Sequence, residues 1–299
     1  MNADGRRLES VARSALLLAA LACALSRSPD GAADSPRVDI AAASARQGDC
    51  VFVFVRPDAP PTAGECRWEG ETYSLFPAGD GYRAILPVAP DAPVGPRELV
   101  VVLREPAGEV VRATRTVKVV KRDFGVQKLR MSKSTARLYT DRDAEREREL
   151  IHGALARVSA EQLWRGPFAW PCKGRVSTGF GLARSVNGEI EYRHRGLDIA
   201  AAAGAPVVAA AAGVVSLVAD DFKLHGKTIA LDHGQGVSTL YLHLSKIHVK
   251  QGQRVVPGER IGAVGATGAA TGPHLHWAVY VHDHAVEPHF WLDLPAECR

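Results

Sequence analysis

The sequence predicts a predominantly all-β protein: a small N-terminal β-sandwich of immunoglobulin-like type, a helical connector and a C-terminal antiparallel β domain. Three observations lead there. Short runs of β-branched residues recur between Pro, Gly and Asp turns before residue 120. A single highly charged stretch follows, with opposite charges three residues apart. After Pro167 the chain is punctuated by glycine, rich in strand formers and poor in helix.

With 299 residues, the chain is long enough for two domains that each bury a core. Its formal charge of +4 is not gathered into basic blocks, which argues against a nucleic-acid binder. Hydrophobic and charged contents of 46% and 23% are those of an ordinary globular protein.

Residues 1–26 carry Arg6, Arg7 and Arg13 ahead of an apolar run from Ser14 to Ser26, too short to span a membrane and typical of a signal peptide. Cleavage after Ala22 would leave Cys23 first, as at a bacterial lipoprotein site, and a lipidated Cys23 would tether the protein to a membrane. Ordinary cleavage at one of several alanine-rich positions, Ala33 included, is the alternative. Residues 27–37 read as a tether rich in Ser, Pro, Asp, Gly and Ala.

The expected sandwich spans 38–120, with strands at Cys50 to Val55, Tyr82 to Leu86, Glu98 to Leu103 and Val110 to Val120. No chemistry is visible in it, so its job is placement, binding or partial cover. In the connector, 121–165, Asp143 with Arg146 and Glu145 with Arg148 favour a helix, and Ile151, Leu155 and Val158 give it an apolar stripe. Its charges read as a solvated face and His152 as a surface residue. From 166 to 299 strands are expected at Val207 to Val218, Lys227 to Leu231, Val237 to Leu244, Lys246 to Val249, Arg254 to Val256, Ile261 to Val264 and Gly272 to Val281.

Export makes the cysteines informative. Cys50, Cys66, Cys172 and Cys298 form an even set in an oxidising compartment and allow three pairings, of which the economical one is Cys50 with Cys66 and Cys172 with Cys298.

Three stretches carry chemistry. In His274-Leu-His276-Trp-Ala-Val-Tyr, alternation puts His274 and His276 on one face and Leu275, Trp277 and Val279 on the other. His194-Arg-Gly-Leu-Asp198 would hold its ends about 13 Å apart if extended, too far for one metal ion, so it must bend, and Gly196 permits that. In Ser238-Thr-Leu-Tyr-Leu-His243-Leu, alternation puts Thr239, Tyr241 and His243 together, opposite Leu240, Leu242 and Leu244. Each signal alone is weak. His152, His225, His233, His248, His282, His284 and His289 read as structural or exposed.

In this order and context the stretches resemble the lysostaphin-like, LytM-type zinc metallopeptidases, which hydrolyse peptidoglycan. The resemblance covers roughly 171–292 and includes Ser177-Thr-Gly-Phe-Gly181, Ala210-Ala-Ala-Gly-Val-Val215, Asp232-His-Gly-Gln-Gly236, Gly265-Ala-Thr-Gly268 and Gly272-Pro-His-Leu-His276. A departure lies at Phe222 to Ile229, where the family commonly has a Gly-Tyr-Gly-Asn-like run. The resemblance implies a duplicated hybrid motif of antiparallel strands, one zinc ion bound by His194, Asp198 and His276, and His243 and His274 as catalytic residues. Three protein ligands would leave a fourth position for water, acidified by the metal. The expected protein is an exported zinc metalloendopeptidase of the periplasm or cell envelope, cutting stem peptides or cross-links of peptidoglycan. The alternative is a non-catalytic envelope scaffold or regulator of other hydrolases, against which the complete ligand set argues. A biotin or lipoyl carrier is disfavoured because no lysine flanked by methionines occurs at a hairpin tip.

Overall fold

The computed structural model describes residues 36–108 and 110–298. The signal segment, Cys23 and nearly all of the tether lie outside the described residues. Strands dominate, as the residue pattern predicts.

The first part is two packed sheets. One orders the strands Arg37–Ile40, Cys50–Arg56, Gly81–Pro87 and Phe76–Ala78; the other orders Ser44–Arg46, Val110–Val120, Gly95–Arg104, Ala63–Trp68 and Glu71–Ser74. Between them lie Val51, Val53, Val55, Trp68, Leu86, Leu99 and Val101. The unbroken apolar run from Cys50 to Val55 has a physical reason. Its odd-numbered valines fill the sandwich, while Cys50 and Phe52, on the other face, join the core of the C-terminal half together with Ile85. A strand buried on both faces has no polar side to alternate with.

That second face makes the two halves one packed body. Phe52 lies 5.9 Å from the ring of Trp291 and 6.1 Å from that of Phe290. Beside it Arg83, only 1% exposed, donates to Gln162 Oε1 and Gln235 Oε1 and sits 4.8 Å over the Trp164 ring.

Residues 121–165 are bound down along most of their length. Val126–Leu129 pairs in parallel with Ala183–Val186, which pairs antiparallel with Ile190–Arg193. A short helix, α1 (Lys133–Arg137), leads to α2 (Arg142–Leu155), whose N-cap Asp141 accepts from the Asp143 N–H. Ile151 and Leu155 are buried as expected, whereas Val158 stays exposed. The charged face of α2 is not simply solvated. Glu147 is buried, Asp143 pairs with Lys223 rather than answering only to its own helix, and Arg148 donates to the Tyr139 carbonyl.

The C-terminal half is organised on one antiparallel sheet that orders Arg175–Thr178, Leu197–Ala200, His274–Val281, Val237–Leu244, Lys227–Gly234, Gly213–Ala219 and Arg254–Val255, with His284–Val286 added on His274–Val281. The single strand expected over Val207 to Val218 is two, Pro206–Val208 and Gly213–Ala219, separated by Ala209 to Ala212. Helix is confined to α3 (Pro288–Leu292) and one short 3-10 turn. Leu275, Trp277, Val279 and Val281 face the main core, as the period of two demanded. Ala278 and Tyr280 face the other way, into a layer closed by Ile151, Ala154 and Leu155 of α2.

The disulfide reading is corrected. No bridge joins Cys50, Cys66, Cys172 and Cys298, which are buried thiols. Cys50 and Cys66 lie in different cores, because Cys50 is on the face of its strand that packs on the C-terminal half whereas Cys66 faces the interior of the sandwich. Burial pushes the Cys66 thiol up to about 12 and that of Cys172 up to about 11.

Candidate metal and catalytic site

The segment His194 to Asp198 bends as its chemistry requires. Its preceding strand ends at Arg193, the next begins at Leu197, and Gly196 lies so close to the neighbouring strand that a Cβ there would meet the Trp277 carbonyl oxygen at 2.4 Å and His276 Nε2 at 2.9 Å. Only glycine fits. The bend brings His194 Nε2 to 2.9 Å from Asp198 Oδ1.

Register then supplies the third group. Asp198 is paired directly with His276 across two antiparallel strands, and directly opposed residues share a face. His276 Nδ1 is 2.9 Å from Asp198 Oδ1 and 3.0 Å from His194 Nε2. All three donor atoms lie within 4.8 Å of one another, and all three residues are buried. His194 Nδ1–H donates to the Gly179 carbonyl at 2.6 Å, which fixes the tautomer and leaves the Nε2 lone pair facing the cluster. Two imidazoles and one carboxylate with converging lone pairs suit zinc. Burial alone would raise the Asp198 carboxyl, but the adjoining His194 and His276 overturn that and hold it well below the usual carboxylate range. Burial pushes the His276 imidazole down to about 4.

His274 and His243 adjoin this cluster. Their rings are 4.9 Å apart, and His274 Nε2 is 3.9 Å from Asp198 Oδ1. Each uses Nδ1–H the same way: His274 donates to the Gly272 carbonyl at 2.8 Å and His243 to the Thr267 carbonyl at 2.9 Å. Both are thus oriented with Nε2 available. Burial, then the neighbouring His274 and His276, push His243 down to about 3, so it is held neutral.

One expectation about His243 is corrected. Strand pairing sets Leu242 against His276 and Tyr241 against Trp277, so the site's face of this strand is that of Leu240 and Leu242, while Thr239 and Tyr241 face the core. His243 reaches the site because its backbone is left-handed, with φ of 62°, at a break in register with the adjacent strand. This bulge turns the ring onto the leucine face. Such a backbone costs about 1–3 kcal/mol in a non-glycine residue and is held by its surroundings. His243 N–H donates to the His225 carbonyl, and Gly265 packs where a Cβ would meet the His243 carbonyl oxygen at 2.7 Å.

Several supporting residues carried no signal in the sequence. Glu147 of α2 accepts from the backbone N–H groups of Leu224 and His225 and from His225 Nδ1, and also from the N–H of Lys223. It therefore holds the loop that bears on His243, and His225 and His152, which pairs with Asp283, are engaged rather than idle. His233 is structural as expected, bonded to the Ala212 carbonyl and to Thr239 Oγ1. Arg184 donates to Asp198 Oδ2 at 2.5 Å.

The cluster lies at the floor of a groove of about 860 Å³. Gln127, Tyr139, Arg148 and His152 from the segment before residue 166 line it, together with Tyr192 and Arg193. A groove of this size accommodates several residues of an extended peptide.

Comparison with known proteins agrees with this geometry. Residues 192–288 match the model of peptidase family M23. A Haemophilus influenzae protein described as an uncharacterized metalloprotease is 39% identical over 144 residues, 47% of this chain and 30% of that protein. The peptidoglycan DD-endopeptidase ShyA of Vibrio cholerae is 44% identical over 93 residues, 31% of this chain and 21% of its own. This chain thus spans less than a third of these curated relatives. A crystal structure of a candidate M23 peptidase from Pseudomonas aeruginosa superimposes with a TM-score of 0.60 at 29% identity, covering 83% of this chain and 94% of that one.

Proposed function

From the premise that the C-terminal half of this chain is a peptidase family M23 domain of the lysostaphin-like, LytM type, we propose that the protein is an exported zinc metalloendopeptidase that hydrolyses D,D-type cross-links of peptidoglycan in the cell envelope. The observation that carries this reading is the convergence of His194, Asp198 and His276 beside two further imidazoles, His243 and His274, at the floor of a peptide-sized groove. Relatives described as peptidoglycan DD-endopeptidases support the substrate class.

His194 Nε2, Asp198 Oδ1 and His276 Nδ1 would hold the zinc. When bound, zinc would supply Lewis acidity towards the scissile carbonyl and make water a better nucleophile near neutral pH. The chain's own residues do the rest. His243, held neutral by burial, and His274 are both committed at Nδ1 to a carbonyl and present Nε2 to the groove. There they can take a proton from the attacking water, return it to the departing amine, and hydrogen-bond the oxygen that gains charge. The water oxygen bonds to the carbonyl carbon, the C–N bond breaks, and the amine leaves with the transferred proton. The two-sheet unit at 38–120 and the 121–165 segment we read as the body against which the peptidase half is positioned.

The test is direct. Full-length mature protein loaded with zinc is incubated with purified sacculi, and released muropeptides are identified by mass spectrometry. The expected result is loss of cross-linked dimers and gain of monomers. Normal binding to sacculi with no change in their muropeptides would overturn the enzymatic reading and favour a scaffold.

A further inference from the structure

Asp198 presents its two carboxylate oxygens to different partners. Oδ1 lies 2.9 Å from both His194 Nε2 and His276 Nδ1 and so faces the cluster. Oδ2 faces away and accepts from Arg184 Nη2 at 2.5 Å. The guanidinium is itself fixed: its Nε donates to Gln127 Oε1 at 2.7 Å, and it lies 6.0 Å from the centre of the Tyr192 ring. The side chain of Arg184 is only 10% exposed, as is that of Asp198. Tyr192 in turn is 5.4 Å, ring to ring, from Tyr139, and their hydroxyls are 3.3 Å apart.

The arrangement follows from strand pairing. Gln127 is opposed to Arg184 in the parallel pair of Val126–Leu129 with Ala183–Val186, and Arg184 to Tyr192 in the antiparallel pair that follows. A three-stranded ribbon thus aims one arginine at the back of a carboxylate in the main sheet. The residue that steadies that arginine comes from the segment before residue 166.

We propose that Arg184 is a positioning residue for the metal site: it occupies Asp198 Oδ2 so that Asp198 offers zinc a single oxygen, Oδ1, and Gln127 makes this dependent on docking of the Val126–Leu129 strand. This rests on the zinc reading above. A rigid planar fork that bonds carboxylate with one nitrogen and amide with another fixes the Asp198 torsion in a way a point charge cannot. Residues that orient a metal ligand in this manner typically contribute 10- to 100-fold in metal affinity.

The experiment uses the full-length mature chain. Zinc affinity is measured by competition with a chromophoric chelator at fixed pH, and the visible absorption of the cobalt-substituted protein reports ligand geometry. Arg184→Gln should weaken zinc binding about 10- to 100-fold and change the cobalt spectrum. Arg184→Lys should recover only part of the affinity. Gln127→Leu, which leaves arginine and carboxylate in place, should shift affinity in the same direction by a smaller factor. Thermal melting of the metal-free proteins checks folding, and Gln127→Leu keeps the question open to test if the Arg184 variants fail to fold. Unchanged or tighter zinc binding in Arg184→Gln, or in Gln127→Leu should the arginine variants not fold, would overturn the proposal, the tighter result meaning that Arg184 acts only as a repelling charge. A wild-type chain that binds no zinc would instead overturn the reading on which it rests.

Discussion

Among individual residues, the clearest division is between the two histidines of His274-Leu-His276. His276→Ala removes an atom that converges with His194 and Asp198, so zinc content and hydrolysis should be lost together, as metal analysis alongside a sacculus assay will register. His274→Ala leaves the three converging groups intact. It should retain zinc while turnover drops by about 10²- to 10⁴-fold, the usual worth of a proton-transferring group. His194, Asp198, His243, His274 and His276 were legible in the sequence because each lies in a short motif, and the motifs together carry the family resemblance. The face of His243 was not. Alternation assumes an unbroken strand, and nothing in Tyr241-Leu-His243-Leu announces a residue with φ of 62°. Arg184 and Glu147 were invisible for a different reason: their partners lie 14 and 76 to 78 residues away, and no local pattern encodes a contact across such a span.

Among elements, helix α2 contributes most beyond what its sequence suggests. Its opposite charges three apart correctly foretold a helix, but a pattern of this kind cannot tell a solvated charge from one that meets the next loop. Glu147 meets backbone N–H groups at 223–225, and His225 in turn accepts the His243 N–H through its carbonyl. Replacing Glu147 with Ala strands buried donors and should cost about 3 kcal/mol, read by denaturant unfolding. Turnover should fall as well while zinc stays bound, since the loop supports His243 and not His194, Asp198 or His276. Glu147→Gln keeps an acceptor oxygen for the N–H groups and should be the milder of the two. Strand existence was legible wherever β-branched runs met glycine turns. The pairing of Val126–Leu129 with Ala183–Val186 was not, because a parallel contact between strands more than fifty residues apart leaves no mark on either one.

For the whole molecule, two buried groups, Arg83 and His233, contribute to stability in separable ways. Arg83→Ala would leave Gln162 and Gln235 without their shared donor and a void beside Trp164. A loss of about 3 kcal/mol in unfolding free energy is expected. His233 is buried without charge, and burial pushes it from 6.5 down to about 4. The unfolded chain therefore takes up a proton first as pH falls. The stability His233 contributes is complete above about pH 6.5 and declines towards pH 4 by about 1.4 kcal/mol per pH unit. Denaturant midpoints measured from pH 7.5 to 4.5 should fall steeply in the wild type and less steeply in His233→Gln. The layer that α2 closes has an outcome of another kind. Ala230, Leu240, Leu242, Ala278 and Tyr280 form a contiguous oily surface under Ile151, Ala154 and Leu155. A fragment beginning at residue 166 would bare that surface next to the groove, and bared apolar area seeks another copy of itself. Such a fragment should sediment as a concentration-dependent oligomer, its groove mouth obstructed by its neighbour, and its poor hydrolysis would report clumping rather than any defect at His194, Asp198 or His276.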